Sequence, residues 1–204
     1  MTSLRHNPPE RSTPERSTAD RLLDAARESI LSVGWKRSTL TDVAGRAGVS
    51  RMTVYRTYPD MPALFGDLMT REWAEVVAAV NATQDPDGDW PERIAGRLVG
   101  VVAALRENDL FRRIVDVDPD LLLPYLLDRR GRSQEAVLDL LADRIAEAQD
   151  DGRLRQGEPV LLARAIVLAT HGFVLSAHTM TDDVVDLELL DQELAELVRR
   201  YLAC

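Results

Sequence analysis

Residues 39–58 read TLTDVAGRAGVSRMTVYRTY, and this stretch decides the fold prediction. Thr39 and Ser50 are typical N-cap residues, because their side-chain oxygens can accept a hydrogen bond from the first turn of a helix. Asp42 follows Thr39 at capping-box spacing, with Asp in place of the preferred Glu. Gly48 can adopt the left-handed conformation that ends a helix. We therefore predict one short helix before Gly48 and a second one after Ser50.

The residue sizes in this stretch favour a helix-turn-helix. Ala44 and Ala47 are small enough for two helices to cross closely, and Val49 can fill the gap between them. Such a pair presents its second helix, N-terminus first, to the DNA major groove. The positive end of that helix favours phosphate. The side chains that could donate hydrogen bonds to DNA are Arg51, Thr53, Tyr55 and Arg56.

Outward from this stretch, apolar residues recur at helical spacing and no segment shows the alternation of a strand. We therefore predict an all-α fold of about nine helices. A helix from Asp20 should end at Gly34, a second should span about Leu40 to Ala47, and a long one should start near Asp60. Gly131, followed by Ser133 as a new cap, is a candidate interruption of the stretch that ends at Asp150. The last two helices are expected at about 159–180 and 184–202.

The chain divides into three predicted parts. Residues 1–18, rich in Pro, Ser, Arg and Glu, are expected to form a disordered arm. Residues 19–65 form the expected DNA-binding domain. Residues 66–204 form a larger, second helical domain, in which residues 85–89 are predicted to form a turn.

Charge follows this division. The whole chain carries a formal net charge of −9, which at first argues against a nucleic-acid partner. Residues 1–58, however, contain ten basic and six acidic residues, whereas residues 59–204 contain 15 basic and 28 acidic residues. A basic N-terminal quarter can approach phosphates while the acidic remainder points away from them.

Composition excludes several classes of protein. No stretch approaches the roughly 20 apolar residues of a membrane-spanning helix, and the N-terminus lacks the apolar core of a signal peptide. Cys204 is the only cysteine, so a disulfide framework is excluded. We expect a cytoplasmic protein without a membrane partner.

Neither a metal site nor a catalytic site can be assembled from the sequence. His171 and His178 are seven residues apart, or about 10 Å along a helix, which is too far for a shared metal. Asp116, Asp118 and Asp120 imitate a calcium loop but lack its Gly and Glu, so we interpret them as a solvated turn. No nucleophile lies at a believable spacing from a base. We expect no catalytic residues, no metal, no cofactor and no enzymatic activity.

The residues around the helix-turn-helix resemble the DNA-binding domain of the TetR family of bacterial regulators. The resemblance extends over some 45 residues and is architectural beyond residue 66. It is carried by Ala25-Ala26, Gly34-Trp35, Thr39 with Asp42-Val43-Ala44, Ala47-Gly48-Val49-Ser50, Thr53-Val54-Tyr55, Tyr58-Pro59 and Leu64.

The resemblance implies a DNA-binding surface and a regulatory role. Met52, Met61 and Pro62 depart from the residues that are usual in the family, so the base preference is expected to differ from that of a typical member. Repression of transcription at a palindromic operator is the implied function. The alternative is a helical interaction or ligand-binding protein that has lost specific DNA binding. The residues expected to contact double-stranded DNA are Lys36, Arg37, Thr39, Thr41, Ser50, Arg51, Met52, Thr53, Tyr55, Arg56 and Tyr58.

The resemblance also implies a homodimer, formed by the last two helices of each subunit. The alternative is that the apolar side chains of these helices only complete the core of one subunit. The residues expected at the dimer interface are Leu162, Ile166, Phe173, Leu190, Leu194, Leu197 and Tyr201.

Family members bind varied, mostly apolar effectors among their middle helices, so a small, mostly apolar effector is expected here. Arg129, Arg130 and Arg132 could bind an anionic ligand, but we interpret them as a solvated run of charge. The candidate pocket residues are Trp73, Val77, Leu105, Phe111, Tyr125, Leu126, His171 and Phe173.

Overall fold

Helices make up all the regular secondary structure in the described residues, 17–83 and 88–204 of a computed structural model. The all-α prediction is confirmed for this part of the chain, and the short α7 brings the number of α-helices there to ten. Residues 1–16 of the predicted arm and 85–87 of the predicted turn lie outside the described residues. The helices are α1 (Thr18–Val33), α2 (Leu40–Ala47), α3 (Arg51–Thr57), α4 (Met61–Thr83), α5 (Trp90–Glu107), α6 (Asp109–Val117), α7 (Leu123–Leu127), α8 (Arg132–Asp150), α9 (Pro159–Leu175) and α10 (Leu187–Leu202).

Helix α1 begins two residues earlier than its apolar pattern predicted. The Ser17 hydroxyl oxygen accepts a hydrogen bond from the Asp20 backbone N–H at 3.1 Å, so Ser17 is the N-cap and Thr18 is already helical. Thr18, the last residue of the predicted arm, therefore belongs to the helix, and Ser17 caps it. Gly34 ends α1 as expected, with a φ of 83° that favours glycine.

The break before α8 lies at Gly131, but Ser133 does not cap the new helix. Gly131 is the N-cap, and its N–H donates to the Gln134 side-chain oxygen at 2.8 Å. Ser133 lies inside the first turn of α8. The Gln134 side chain supplies the reciprocal half of a capping arrangement, which makes a hydroxyl cap unnecessary.

The final two helices are shorter than predicted. Helix α9 ends at Leu175 and is followed by a 3-10 turn, Ala177–Met180, so the chain is not α-helical to residue 180. The Asp186 carboxylate accepts from the Leu189 N–H at 2.9 Å, and this cap makes α10 start at Leu187 rather than at 184.

Two hydrophobic cores organise the molecule. The first core joins α1, α2, α3, the N-terminal half of α4, and α6; its largest buried side chains include Leu22, Ile30, Leu64, Leu68 and Leu110. The second core joins α5, α8, α9 and α10. Helix α4 is continuous across residues 65 and 66, where the sequence predicted a domain boundary.

One buried ion pair holds the second core together. The Arg106 guanidinium of α5 pairs with the Asp191 carboxylate of α10 at 2.5 Å and also donates to the Phe173 carbonyl of α9 at 3.3 Å. Three helices therefore meet on one buried side chain. Within residues 17–83 and 88–204, no helix has both the length and the apolar character needed to cross a membrane.

Candidate functional site

The turn between α2 and α3 is fixed by backbone hydrogen bonds. Gly48 has φ 63° and ψ 36°, the left-handed conformation that its position required. Its N–H donates to the Gly45 carbonyl at 3.2 Å, and the Val49 N–H donates to the Ala44 carbonyl at 3.0 Å. The Arg21 guanidinium of α1 donates to the Ala47 carbonyl at 2.5 Å. The end of α2 is therefore satisfied, and the direction of α3 is set.

Hydrogen bonds also fix the start of each helix. The Thr39 hydroxyl oxygen accepts from the Asp42 N–H at 3.1 Å, and the Ser50 hydroxyl oxygen accepts from the Thr53 N–H at 3.1 Å. Val54 is fully buried in the first core. Because one face of α3 is anchored through Val54, its remaining faces point to solvent.

The exposed face of α3 is cationic and aromatic. Arg51 and Arg56 are exposed, and neither forms an ion pair within the described part of the chain. Met52 is 77% exposed and Tyr55 is 52% exposed. Residues 47–59 contain no acidic residue. This surface can approach a polyanion without repulsion from its own neighbours.

Two of the three threonines predicted to contact DNA are less accessible. Thr53 is half-buried, and its hydroxyl lies 2.8 Å from the Ser50 hydroxyl, so it contributes to the cap of α3. Thr41 is half-buried in the first turn of α2, next to the capping residue Thr39.

Tyr58 does not lie on the predicted DNA-binding surface. Its side chain is only 5% exposed and belongs to the first core, and its hydroxyl lies close enough to the Asp67 carboxylate of α4 to feel its charge. Burial, together with the charge of Asp67, raises the pKa of Tyr58 to about 12. Including Tyr58 among the DNA contacts was wrong, because the residue after α3 turns inward to close the core.

Lys36 and Arg37 lie on the 3-10 turn Trp35–Arg37, immediately before α2. Both are exposed; the Lys36 ammonium lies 3.7 Å from the exposed Asp120 carboxylate, and Arg37 donates to the Val33 carbonyl at 3.0 Å. Such a surface ion pair is weak enough for a phosphate to replace it.

Helix α2 is held against α1 by a small polar cluster. The Ser29 hydroxyl donates to the Asp42 carboxylate at 2.7 Å, and Arg46 donates to the same carboxylate at 2.8 Å. These two hydrogen bonds lower the pKa of Asp42, so the carboxylate remains charged well into the acidic range.

A cavity of about 320 Å³ lies between α4, α6, the α7 segment, the start of α8 and the end of α9. Its walls are mostly apolar or aromatic. Five of the candidate pocket residues line it, and they come from four separate parts of the chain: Trp73, Phe111, Tyr125, Leu126 and His171. Burial lowers the pKa of His171, so its imidazole is neutral near pH 7.

Three candidate pocket residues do not line this cavity. Leu105 is 4% exposed and buried, and Phe173 packs against the second core. Val77 lies on α4 one turn beyond Trp73, where the helix has already passed the cavity. Helical spacing alone could not separate these core-facing side chains from cavity-facing ones.

The sequence interpretation missed the polar junctions around the cavity. Arg132, at its rim, forms an ion pair with Asp67, the carboxylate whose charge also acts on Tyr58. Arg132 was interpreted as part of a solvated charge run, but with Arg129 and Arg130 it lines the cavity. In the sequence, only the clustering of three arginines beside apolar residues indicates that these arginines line a cavity.

Two further junctions connect the first core to the cavity helices. The buried Glu72 of α4 accepts from Arg27 of α1 at 3.1 Å and from the Asn108 amide before α6 at 3.2 Å. The Asp118 carboxylate accepts from the Trp35 N–H at 2.8 Å. Asp118 is 4% exposed, so the interpretation of this turn as solvated was wrong for that residue.

The apolar residues of α9 and α10 divide into two sets. Leu162, Ile166 and Leu194 are each at most 3% exposed within one subunit, so placing them at the dimer interface was wrong; they complete the second core. Phe173 and Leu190 are half-buried. Other side chains of the two helices face outward: Leu161 (62% exposed), Leu168 (71%), Leu197 (57%) and Tyr201 (37%).

Comparison with known proteins identifies the family. Residues 22–68 match the model of the bacterial regulatory proteins of the tetR family. An uncharacterised HTH-type transcriptional regulator of Mycobacterium tuberculosis is 34% identical over 185 residues, which cover 91% of this chain and 94% of the relative. The chain belongs to the TetR family. It is a helix-turn-helix transcriptional regulator.

Solved TetR-family structures share the fold. The R. erythropolis transcriptional repressor QsdR superposes with a TM-score of 0.66 at 17% identity, covering 91% of this chain and 94% of QsdR. RolR, solved in complex with resorcinol, also has a TM-score of 0.66 at 17% identity, covering 91% of this chain and 87% of RolR.

Proposed function

We propose that this TetR-family regulator is a repressor that binds a palindromic operator as a homodimer and leaves it when a small effector fills the cavity. The observation that carries the proposal is the surface of α3. It is anchored through Val54, free of acidic residues, and presents Arg51 and Arg56 without ion-pair partners among the described residues. Each recognition helix would enter one major groove.

The side chains of α3 divide the work of binding. Arg51 and Arg56 would reach base edges, since a guanidinium can bind guanine in a bidentate manner. The hydroxyls of Tyr55 and Ser50, together with Lys36 and Arg37, would bind phosphates. Thr39, Thr41, Met52 and Thr53 complete the proposed surface.

Dimerisation is proposed through the outward faces of α9 and α10. Leu161, Leu168, Leu197 and Tyr201 are exposed in one subunit, although leucines on neighbouring helices are usually buried. A second copy of the same face would cover them in an isologous interface. The two-fold axis of that dimer requires a palindromic DNA site, with half-sites about 34–36 Å apart.

Effector control is proposed through the cavity and α4. A cavity of about 320 Å³ lies at the lower end of the size range of small-molecule sites. RolR binds resorcinol, and this chain shares its fold. A ligand that binds the non-DNA conformation more tightly would shift α4 and change the separation of the two recognition helices. A hundredfold loss of operator affinity needs about 2.7 kcal/mol of coupling.

We propose that the two parts of the chain have separate roles. Residues 19–65 would bind DNA and residues 66–204 would sense the effector and dimerise, with α4 shared between the two. The protein would act in the cytoplasm, where its DNA is, and by binding alone, without a catalytic step.

Selection of genomic fragments by the purified protein tests the proposal. We expect enrichment of a palindrome, a footprint symmetric about its centre, and one dimer per site. Affinity should fall steeply with salt, because the phosphate contacts displace counterions. The double variant Arg51→Ala/Arg56→Ala serves as the control and should lose the enrichment while keeping its fold. Enrichment of no sequence by the wild type would favour the alternative, a helical ligand-binding protein without specific DNA binding.

A further inference from the structure

The lining of the cavity has two chemically different parts. Phe65, Met69 and Trp73 of α4, with Phe111 of α6, form an apolar and aromatic floor. The rim, residues 129–132, contributes three arginines. No lining residue in the described part of the chain is a carboxylate. An uncharged apolar ligand would contact the floor but would offer the three arginines of the rim no group to bind.

The rim arginines are incompletely neutralised. Arg129 lies over the Tyr125 ring, with its guanidinium carbon 5.4 Å from the ring centroid, and has no carboxylate partner among the described residues. The Arg130 Nε atom lies 4.0 Å from the Glu135 carboxylate, and both side chains are at least half exposed. Only Arg132 has a close acidic partner, Asp67. The rim therefore carries excess positive charge beside an apolar cavity.

The Arg132–Asp67 ion pair leads from the cavity to the recognition helix. Asp67 pairs with Arg132, and its charge also acts on the hydroxyl of Tyr58, the residue that directly follows α3. Tyr58 is buried in the first core, so its position is coupled to the packing of α3. A ligand that withdraws Arg132 from Asp67 would therefore change a contact at the end of the recognition helix.

We propose that the effector is an amphipathic carboxylic acid whose apolar body occupies the floor and whose carboxylate binds the arginine rim, competing with Asp67 for Arg132. This inference rests on the proposed function of the cavity as an effector site. The planar guanidinium fork matches a carboxylate in a bidentate manner. At about 30 Å³ for each water-sized group, the cavity of about 320 Å³ suits a body of roughly ten or eleven heavy atoms.

Matched probes test the charge preference on the full-length protein. The probes are 4-phenylbutyrate, 4-phenylbutanol and 4-phenylbutylamine, with octanoate, octanol and octylamine as a second apolar body. Affinity is measured by titration calorimetry. We expect each acid to bind at least about tenfold more tightly than its alcohol, because charge-assisted hydrogen bonds are the stronger ones, and each amine to bind more weakly still.

Variants locate the preference at the rim. Arg129→Gln should reduce the advantage of the acid over the alcohol to about threefold or less and leave the affinity for the alcohol unchanged. Arg144→Gln is the matched control, because Arg144 lies on α8 outside the cavity and pairs with Glu147. Loss of the acid preference in the control as well would contradict a role of the rim.

Competition between the ligand and Asp67 for Arg132 can be measured through the acid affinity of an Asp67 variant. Asp67→Asn should bind the acids several-fold more tightly than the wild type, because the competing carboxylate is gone, and should bind the operator more weakly. Glu75→Gln, on an exposed part of α4, should change neither affinity. Arg132→Lys keeps the positive charge but removes the planar guanidinium, so it should lose the preference for acids. This variant tests the role of Arg132 independently of whether Asp67→Asn folds. Unchanged acid affinity in folded Asp67→Asn would overturn the competition.

The outcomes separate this inference from the proposed function. Equal binding of acid, alcohol and amine would overturn the anionic effector while leaving the cavity as a site for apolar ligands. Binding of none of the six probes would overturn both the inference and effector control through the cavity. Neither result would affect operator binding, which is measured without ligand.

Discussion

Helix α3 and the α9–α10 pair are both exposed, but their side chains differ in kind. The polar side chains exposed on α3 are two arginines, a tyrosine and a threonine, whereas the apolar side chains exposed on α9 and α10 include Leu161, Leu168 and Leu197. The first set retains hydrogen-bonding capacity that water or DNA can satisfy. The second set gains free energy only by leaving water. Side chains exposed in a single subunit can therefore belong to a DNA-binding surface or to a protein interface, and their polarity distinguishes the two.

The cores behind these two surfaces also differ. The first core is held at its edges by caps and by hydrogen bonds to backbone carbonyls, such as that of Arg21. The second core contains a buried ion pair, Arg106–Asp191, between α5 and α10. The Arg27–Glu72 pair beside the first core buries only its carboxylate, whereas both side chains of Arg106–Asp191 are largely buried, so loss of Asp191 leaves a charge deep in the protein.

The largest effect is expected at this ion pair. Asp191→Ala should lower the free energy of unfolding by about 3 kcal/mol, because the Arg106 guanidinium would stay buried without its partner. Replacing both residues with leucine-sized apolar groups should restore most of that loss. Denaturant titration measures both. Asp120→Ala removes the exposed pair with Lys36 and should cost less than about 1 kcal/mol. Equal costs at the two sites would remove the distinction between the cores.

The next largest effect tests the apolar surface. Leu168→Glu should convert the dimer to a monomer and reduce operator affinity by about a hundredfold or more, because the second half-site then binds independently. Sedimentation and gel shifts measure the two effects. Leu127→Glu is the matched control, since Leu127 is 76% exposed but lies at the end of α7. A dimeric Leu168→Glu protein would show that this face is not the interface.

Substitutions on α3 should separate specificity from general affinity. Arg51→Ala should cost about 1–3 kcal/mol on the operator and much less on random DNA, because a base contact is lost. Tyr55→Phe should cost about 1 kcal/mol on both DNAs, because a phosphate contact is lost. Competition gel shifts compare the variants. If both variants lost the same affinity on both DNAs, the assigned roles would be wrong.

A further modest effect is expected at the turn of the helix-turn-helix. Gly48→Ala should lower the free energy of unfolding by about 1–2 kcal/mol, because the φ of 63° is costly for a residue with a Cβ atom. The new methyl group would also lie 3.3 Å from the Arg21 guanidinium. Gly45→Ala is the control: that position is helical and open, so the variant should be as stable as the wild type or more so.

The sequence predicted the helix-turn-helix well because its signals are local. Thr39, Gly48 and Ser50 each act on backbone atoms within four residues, and the structure has all three in the expected roles. Tyr58 was misplaced because its neighbour in space, Asp67, lies on another helix. A residue at the end of a motif can belong to the core that supports the motif.

The cavity and the outer face were harder to predict, because they depend on contacts between distant residues. Helix α9 is apolar on several sides, so periodicity could not separate buried Leu162 from exposed Leu161. Trp35 and Asp118 meet across 83 positions, and Arg132 and Asp67 across 65. Only the packing of α4 against its neighbours brings such pairs together.

Helix α4 is continuous, so a tilt of this helix would move the DNA-binding unit attached to its N-terminus. Its 23 residues extend about 34 Å, with the proposed DNA-binding unit at one end and the cavity beside its first three turns. A tilt of roughly 5° about its middle would move its N-terminus by about 1.5 Å, given that length. In a two-fold dimer the two displacements add, and the spacing of the recognition helices would change by about twice as much. A small tilt of this one continuous helix can thus change the distance between the two recognition helices.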